Sequence, residues 1–395
     1  MHALIVGGGG TGAACAYDLS MRGFQVTLVE RGELTSGTTG RHHGQLHSGA
    51  RYAVNDPEIG RECMEEVRIL GKIAAESMEM NYGLFLALAD EDIAYGKRFE
   101  DACREADIPV RKLSTSEALR YEPRINDRAL CAYLVPDGTL DAYRLPLQFF
   151  AGAMAHGARI RRYTRLDKIE AHNGKVEAAN VTDLESGHEE RLKVDVIVNA
   201  GGAWAGQIAA RAGLDIPITP SPGTMVSVKG RLCNMVVSHL HPPGDGDIIV
   251  PQRKLSTIGS TQWLAEDPDR IATPEEDIRW LRERAVDLIP DFANAEFHAA
   301  WTAARPLAGK GSGDADVRGL SRDFLVVDHG KDGVAGMFSV IGGKATVLRA
   351  MAEKTCDAVC ASVGVEAECR TADKVLPSHR RFFWGGRQHH KEQGA

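Results

Sequence analysis

Gly7-Gly8-Gly9-Gly10-Thr11-Gly12 follows the apolar run Ala3-Leu4-Ile5-Val6 and precedes Ala13-Ala14-Cys15-Ala16-Tyr17-Asp18-Leu19. A strand, a glycine turn and a helix in that order form a cradle for the pyrophosphate of a dinucleotide. Gly7, Gly9 and Gly12 satisfy G-x-G-x-x-G: one makes the tight turn, one admits phosphate, and one lets the helix meet the strand. Gly10 and Thr11 are assigned to the same cradle, where the start of the helix offers free N–H groups and a positive dipole end to an anion. A second strand, Gln25-Val26-Thr27-Leu28-Val29, ends in Glu30, about where an acid is expected to bind a ribose. The glycines alone would say little; with both strands, the helix and the acid they specify the cradle.

The rest of the composition narrows the class. Of 395 residues, 43% are hydrophobic, enough for a large core and two domains. A net charge of −7 argues against a nucleic-acid partner while leaving local basic groups for small anions. No apolar stretch approaches the ~20 residues needed to span a bilayer. The cradle begins at residue 7, so neither signal nor transit peptide is expected. Eight cysteines are scattered without a C-x-x-C, which favours neither a metal cluster nor a disulfide framework. A reducing, cytoplasmic compartment is expected, with peripheral contact at the inner membrane left open.

Apolar residues at three- and four-residue steps predict a helix from Pro57 to Met78. Short apolar runs between 84 and 141 read as sheet, with a turn at Pro136-Asp137-Gly138-Thr139. A helix is expected from Tyr143 to His156, and a hairpin from Val176 to Glu185 and Glu190 to Val194. Val194 to Gly202 reads as a buried strand ending in glycines, which makes Ala200 and Gly201 a second meeting point for backbone and nucleotide. Residues 218–317 read as strands broken by one helix, Pro274 to Leu288. Gly342-Gly343 leads into a last helix from Lys344 to Ala361, with Cys356 and Cys360 on its core face. The segment after Pro377 is expected to fray.

Residues 37–52, GTTGRHHGQLHSGARY, cannot form an ordinary core element, because glycines alternate with groups that are costly to bury. This segment resembles that of FAD-dependent glycerol-3-phosphate dehydrogenases, most closely the catalytic A subunits of the anaerobic enzyme. The similarity returns at Val135–Asp141, Val198–Gly201, Ile258–Thr261, Arg305-Pro306-Leu307, Ser321-Arg322-Asp323 and Gly342–Thr346 with Arg349.

The resemblance implies an α/β (α+β) fold of the D-amino-acid-oxidase type. A discontinuous Rossmann-like FAD-binding domain (1–65, 142–217 and 318–375) would carry a mainly antiparallel cap (66–141 and 218–317), with 376–395 a polar tail. Beyond the cradle it assigns Arg31, Thr38, Thr39, Gly40, His43, Gly44 and Leu46 to the cofactor. Gly342, Gly343, Lys344, Ala345 and Thr346 would join them from the other end of the chain. Arg51, Arg305, Arg322 and Lys344 would converge on substrate, with Tyr52 beside them. Several fixed cations suit a phosphate dianion, and planar guanidinium grips two oxygens at once.

The implied reaction oxidises sn-glycerol 3-phosphate at C2 to dihydroxyacetone phosphate, with hydride passing to flavin N5. His47 is the first candidate for the base, since imidazole titrates near working pH; Tyr52, His239 and His241 follow. Covalent flavin attachment through His43 or His47 is a further option. With no second glycine motif for a nicotinamide nucleotide, reoxidation falls to an external acceptor: a quinone, an electron-carrier protein, a partner subunit or dioxygen. Set beside the A subunits, their cysteine-bearing C-terminal region is not expected here, and Pro222-Gly223-Thr224 stands where the resemblance implies a basic residue. Two other readings are an FAD-linked 2-hydroxy-acid (2-hydroxyglutarate-like) dehydrogenase and a non-catalytic flavin-binding subunit.

Overall fold

The computed structural model describes residues 1–309 and 323–384. Two large sheets organise them. The first runs, in spatial order, Phe324–Asp328, Met337–Gly342, Val196–Asn199, His2–Val6, Gln25–Val29, Arg159–Arg161. All its neighbours are parallel except the edge pair Phe324–Asp328 with Met337–Gly342. Parallel strands covered on both faces read as unbroken apolar runs, and Ala3 to Val6 are all buried. The helix Gly10–Met21 packs between Arg144–Ala155 and Leu348–Val363, its alanines allowing close approach.

The second sheet has eight strands in the order Phe297–Ala308, Ile218–Lys229, Leu255–Gly259, Ile248–Gln252, Val236–His239, Gly83–Ala87, Cys131–Val135, Arg111–Leu113. Only Val236–His239 with Gly83–Ala87 is parallel. The helix Glu275–Leu288 packs on this sheet, burying Leu281, Ala285 and Leu288 in a core separate from that around the helix Gly10–Met21. The mixed α/β architecture with a mainly antiparallel second sheet is the expected fold class. Between the sheets, Gln45–Leu46 pairs with Gly138–Leu140, which also pairs with Met78–Glu79.

The hairpin expected around 176–194 is present as Lys175–Asp183 and Glu189–Lys193, joined by Thr164–His172. Cys356 and Cys360 face the core as expected. Four expectations need correction. The helix begun at Pro57, capped by the Asp56 carboxylate on the Ile59 N–H, ends at Ile73 instead of Met78. The stretch 84–141 also holds two helices, Asp90–Glu105 and Thr115–Tyr121, which lie between the strand-like apolar runs at 84–88 and 129–135. The last helix starts at Leu348, after one 3-10 turn at Ala345–Val347, because Gly343 is left-handed (φ +83°) and Lys344 is extended. Finally, residues after Pro377 form a helical turn over 380–384; Ser378 donates to Glu76 and the Phe382 ring lies 6.1 Å from Phe150.

Candidate active site

A cavity of about 550 Å3 is walled by both large sheets, within the ~300–1,000 Å3 usual for cofactor sites. At one end lies the glycine turn. Gly7 adopts φ +114°, and a Cβ there would stand 2.5 Å from the Ala200 carbonyl oxygen. A Cβ on Gly12 would stand 2.0 Å from the Gly7 carbonyl oxygen, so the helix can lie this close only without a side chain. Gly10 N–H donates to Thr39 Oγ1 at 3.0 Å. The Glu30 carboxylate accepts from Gly8 N–H at 2.7 Å and Gly32 N–H at 2.8 Å, holding the turn against the second strand. Arg31 caps this end, stacked 5.0 Å over Trp204 and paired with Asp269 at 2.5 Å.

The other end is built on the segment Gly44–Tyr52. Buried Asp137 accepts from Ser48 N–H (2.7 Å), Ser48 Oγ (2.6 Å) and Gln45 Nε2 (2.8 Å). Burial pushes the Asp137 carboxyl above its ordinary range, and these donors with the Arg51 charge pull against it. His47 N–H donates to Thr346 Oγ1 at 3.0 Å, and its ring lies 5.3 Å from Tyr52 and 6.0 Å from His43. Lys344 Nζ sits 4.8 Å over the Tyr52 ring, a cation–π contact. Arg305 donates to Ser260 Oγ and, at 3.4 Å, to the Ser221 carbonyl. Gly223 makes room for it: a Cβ there would stand 3.0 Å from both terminal nitrogens of Arg305. Arg51 donates through Nη2 to Asp247 Oδ2 at 2.7 Å and to the Gly244 carbonyl at 2.9 Å.

Burial lowers the imidazoles of His42 to about 4 and His43 to about 3, the latter helped by His42, Arg305 and Arg51. Both rings are therefore neutral at pH 7, and each accepts a backbone N–H at Nδ1. The fixed positive charge on this wall comes from arginine and lysine.

A family model described as FAD dependent oxidoreductase matches residues 2–347. The chain is 40% identical over 390 residues to the A1 subunit of the anaerobic glycerol-3-phosphate dehydrogenase of Haloferax volcanii, covering 96% of this chain and 67% of that protein. It is 37% identical over 379 residues to the A subunit of the Escherichia coli K12 enzyme, covering 95% and 69%. The chain belongs to this family. It is an FAD-dependent oxidoreductase whose relatives include the A subunits of anaerobic glycerol-3-phosphate dehydrogenases. Its fold matches the glycerol-3-phosphate dehydrogenase of Bacillus halodurans complexed with FAD, with TM-score 0.74, 23% identity, and coverage of 99% of this chain and 72% of that one.

The cradle of this oxidoreductase fits FAD. Gly7 and Gly12 leave no side chain between strand, helix and ligand, and Gly9, Gly10 and Thr11 line the cavity beside Glu30. Of the residues singled out in the sequence, Arg31, Thr38, Thr39, His43, Ala200, Gly201, Gly342, Gly343 and Ala345 also line it. So do His47, Arg51, Tyr52, Arg305 and Lys344. Gly12, Gly40, Gly44, Leu46 and Thr346 are not among the residues that line it. Gly40 closes on Thr35 and Gly44 on Gln252, Leu46 is core, and Thr346 anchors the His47 backbone. Arg322 lies outside the described residues. His239 and His241, the later candidates for a base, are not on the wall; His239 pairs with Asp92 and His241 with Asp247. Arg349, part of the resembling Gly-Gly-Lys motif, is a buried structural cation bound by Glu66, Glu353 and Thr371.

Sequence reading missed Asp247 as a support of this wall, and gave Ser260 and His42 no individual role although both lie in resembling segments. Asp247 sits in Pro242-Pro243-Gly244-Asp245-Gly246-Asp247, a composition that reads as a surface turn.

Proposed function

We propose that this chain oxidises sn-glycerol 3-phosphate, or a close anionic polyol, to dihydroxyacetone phosphate and passes the electrons to an external quinone or partner protein. The observation that carries the reading is the gathering of Arg51, Arg305 and Lys344 with His47 and Tyr52 on one cavity. Bound FAD supplies the hydride acceptor. The guanidinium of Arg305, held by Ser260 and Ser221, grips the phosphate oxygens together with Arg51 and Lys344. Positioning the alcohol in this way converts a bimolecular encounter into an oriented one. His47, its backbone fixed by Thr346, takes the C2 hydroxyl proton, and Tyr52 packs at its side. The relatives are named as subunits, which supports a partner protein as the electron outlet.

Anaerobic titration of the purified yellow protein tests the reading. Glycerol 3-phosphate should bleach the flavin absorbance, and 2-hydroxyglutarate should leave it unchanged. Bleaching by the hydroxy acid alone would move the assignment to a 2-hydroxy-acid dehydrogenase. Bleaching by neither, nor by other polyol phosphates, would make the chain a non-catalytic flavin carrier.

A further inference from the structure

Two arginines of this chain are buried in different ways. Arg349 is 4% exposed, and its Nε, Nη1 and Nη2 all donate to Glu66, Glu353 or Thr371. Arg51 is 7% exposed, and its bonds to Asp247 and Gly244 both leave from Nη2. Its Nη1 is buried and has no hydrogen-bond partner among the described residues. A buried guanidinium nitrogen without an acceptor is costly, and Arg51 lines the cavity.

What holds the Nη2 edge is a single loop. Asp247, 1% exposed, precedes the strand Ile248–Gln252 and accepts at Oδ2 from both Arg51 Nη2 and Gly244 N–H, each at 2.7 Å. The Gly244 carbonyl takes the second bond from Nη2. Asp247 Oδ1 faces His241 Nε2 at 3.2 Å. Burial would raise this carboxyl, but His241 and Arg51 overcome it and bring it down to about 2, so it is ionised. Asp247 is not itself on the wall, whereas Gly244, Asp245 and Ile248 are.

We propose that Asp247 is a positioning residue that engages one edge of the Arg51 guanidinium, so that this cation is held at the cavity wall for the oxyanion of the substrate. This rests on the proposed function, in which the cavity takes a phosphate-bearing alcohol. The physical basis is that guanidinium is a planar fork on a flexible stem: fixing one terminal nitrogen fixes where its positive charge sits. Without Asp247 only the Gly244 carbonyl still holds Nη2.

The test is a double-mutant cycle on the holoenzyme, with inorganic phosphate as the probe and perturbation of the flavin spectrum as the readout. Asp247→Ala should weaken phosphate binding by about twenty-fold and Asp247→Asn, which keeps an acceptor oxygen, by about five-fold, both within the range of couplings between contacting groups. Both variants should keep their flavin and raise KM for glycerol 3-phosphate more than they lower kcat. On an Arg51→Ala background neither substitution should change phosphate affinity further. Wild-type affinity in either folded variant, or the same loss on both backgrounds, overturns the role of Asp247 alone. A wild-type protein whose flavin spectrum and melting temperature ignore phosphate, and which glycerol 3-phosphate does not reduce, overturns the anion site and the proposed substrate together.

Discussion

The glycine-turn end and the arginine–lysine end of the cavity are made of different material. At Gly7–Gly12 the wall is backbone, produced by one strand, one turn and one helix that follow each other along the chain. At the other end it is side chain: Arg51, Arg305 and Lys344 come from three distant segments. Each is then oriented by neighbours, Asp247 for Arg51, Ser260 and Ser221 for Arg305, Tyr52 for Lys344. A backbone site is specified by which residues are absent, since any Cβ would intrude. A side-chain site is specified by topology, and so each cation can be removed singly.

The largest expected effect follows from the first kind of site. A Cβ on Gly9 would already stand 3.0 Å from Thr39 Oγ1, and valine adds two methyl groups beyond it. Gly9→Val should yield a colourless protein, read from its visible spectrum; a yellow variant would break the claim that the cradle is made by missing side chains. Arg305→Ala should do the opposite: keep the flavin and lose about 1.5–3 kcal/mol of charge-assisted binding, roughly a ten- to hundred-fold fall in kcat/KM for glycerol 3-phosphate. Unchanged steady-state kinetics would remove Arg305 from the anion site.

The smallest effect concerns the neutral histidines. His42 and His43 are lowered by burial to about 4 and 3, below the ordinary imidazole value of roughly 6.5. As pH falls below that value the unfolded chain binds protons that the folded chain refuses, so stability declines from about pH 6.5 toward 4. His43→Gln should therefore flatten the acid side of a melting-temperature profile without abolishing flavin binding. An unchanged slope would mean that this imidazole is free to take up a proton in the folded protein.

This contrast also explains how much was legible in the sequence. The cradle could be read from Gly7, Gly9, Gly12 and Glu30, because its geometry is local and each glycine has a steric reason. The strands ending at Val6 and Val29 stood out as apolar runs, and the helices at 144–155 and 275–288 were also readable. The helices Asp90–Glu105 and Thr115–Tyr121 were not, since they lie between the apolar runs at 84–88 and 129–135, which gave the whole stretch a strand-like reading. For the cations, residue type carried no direction. Arg51 and Arg349 are both buried and both sit in resembling motifs, yet only Arg51 reaches the cavity. Asp247 was invisible for the same reason, because its partner lies 196 residues away along the chain.

Asp137 binds the histidine-bearing segment to a turn that directly follows the strand Cys131–Val135. That strand pairs with Gly83–Ala87 and Arg111–Leu113 in the eight-stranded sheet. The imidazole proposed as the base thus takes its coordinates from the antiparallel sheet as well as from the nucleotide-binding fold. A repacking of Phe85, Phe99 and Tyr133, whose rings cluster at that strand, would travel through one carboxylate to the reacting centre. In the proposed mechanism, the alignment of His47 is inherited from a hydrophobic cluster that lies off the cavity wall.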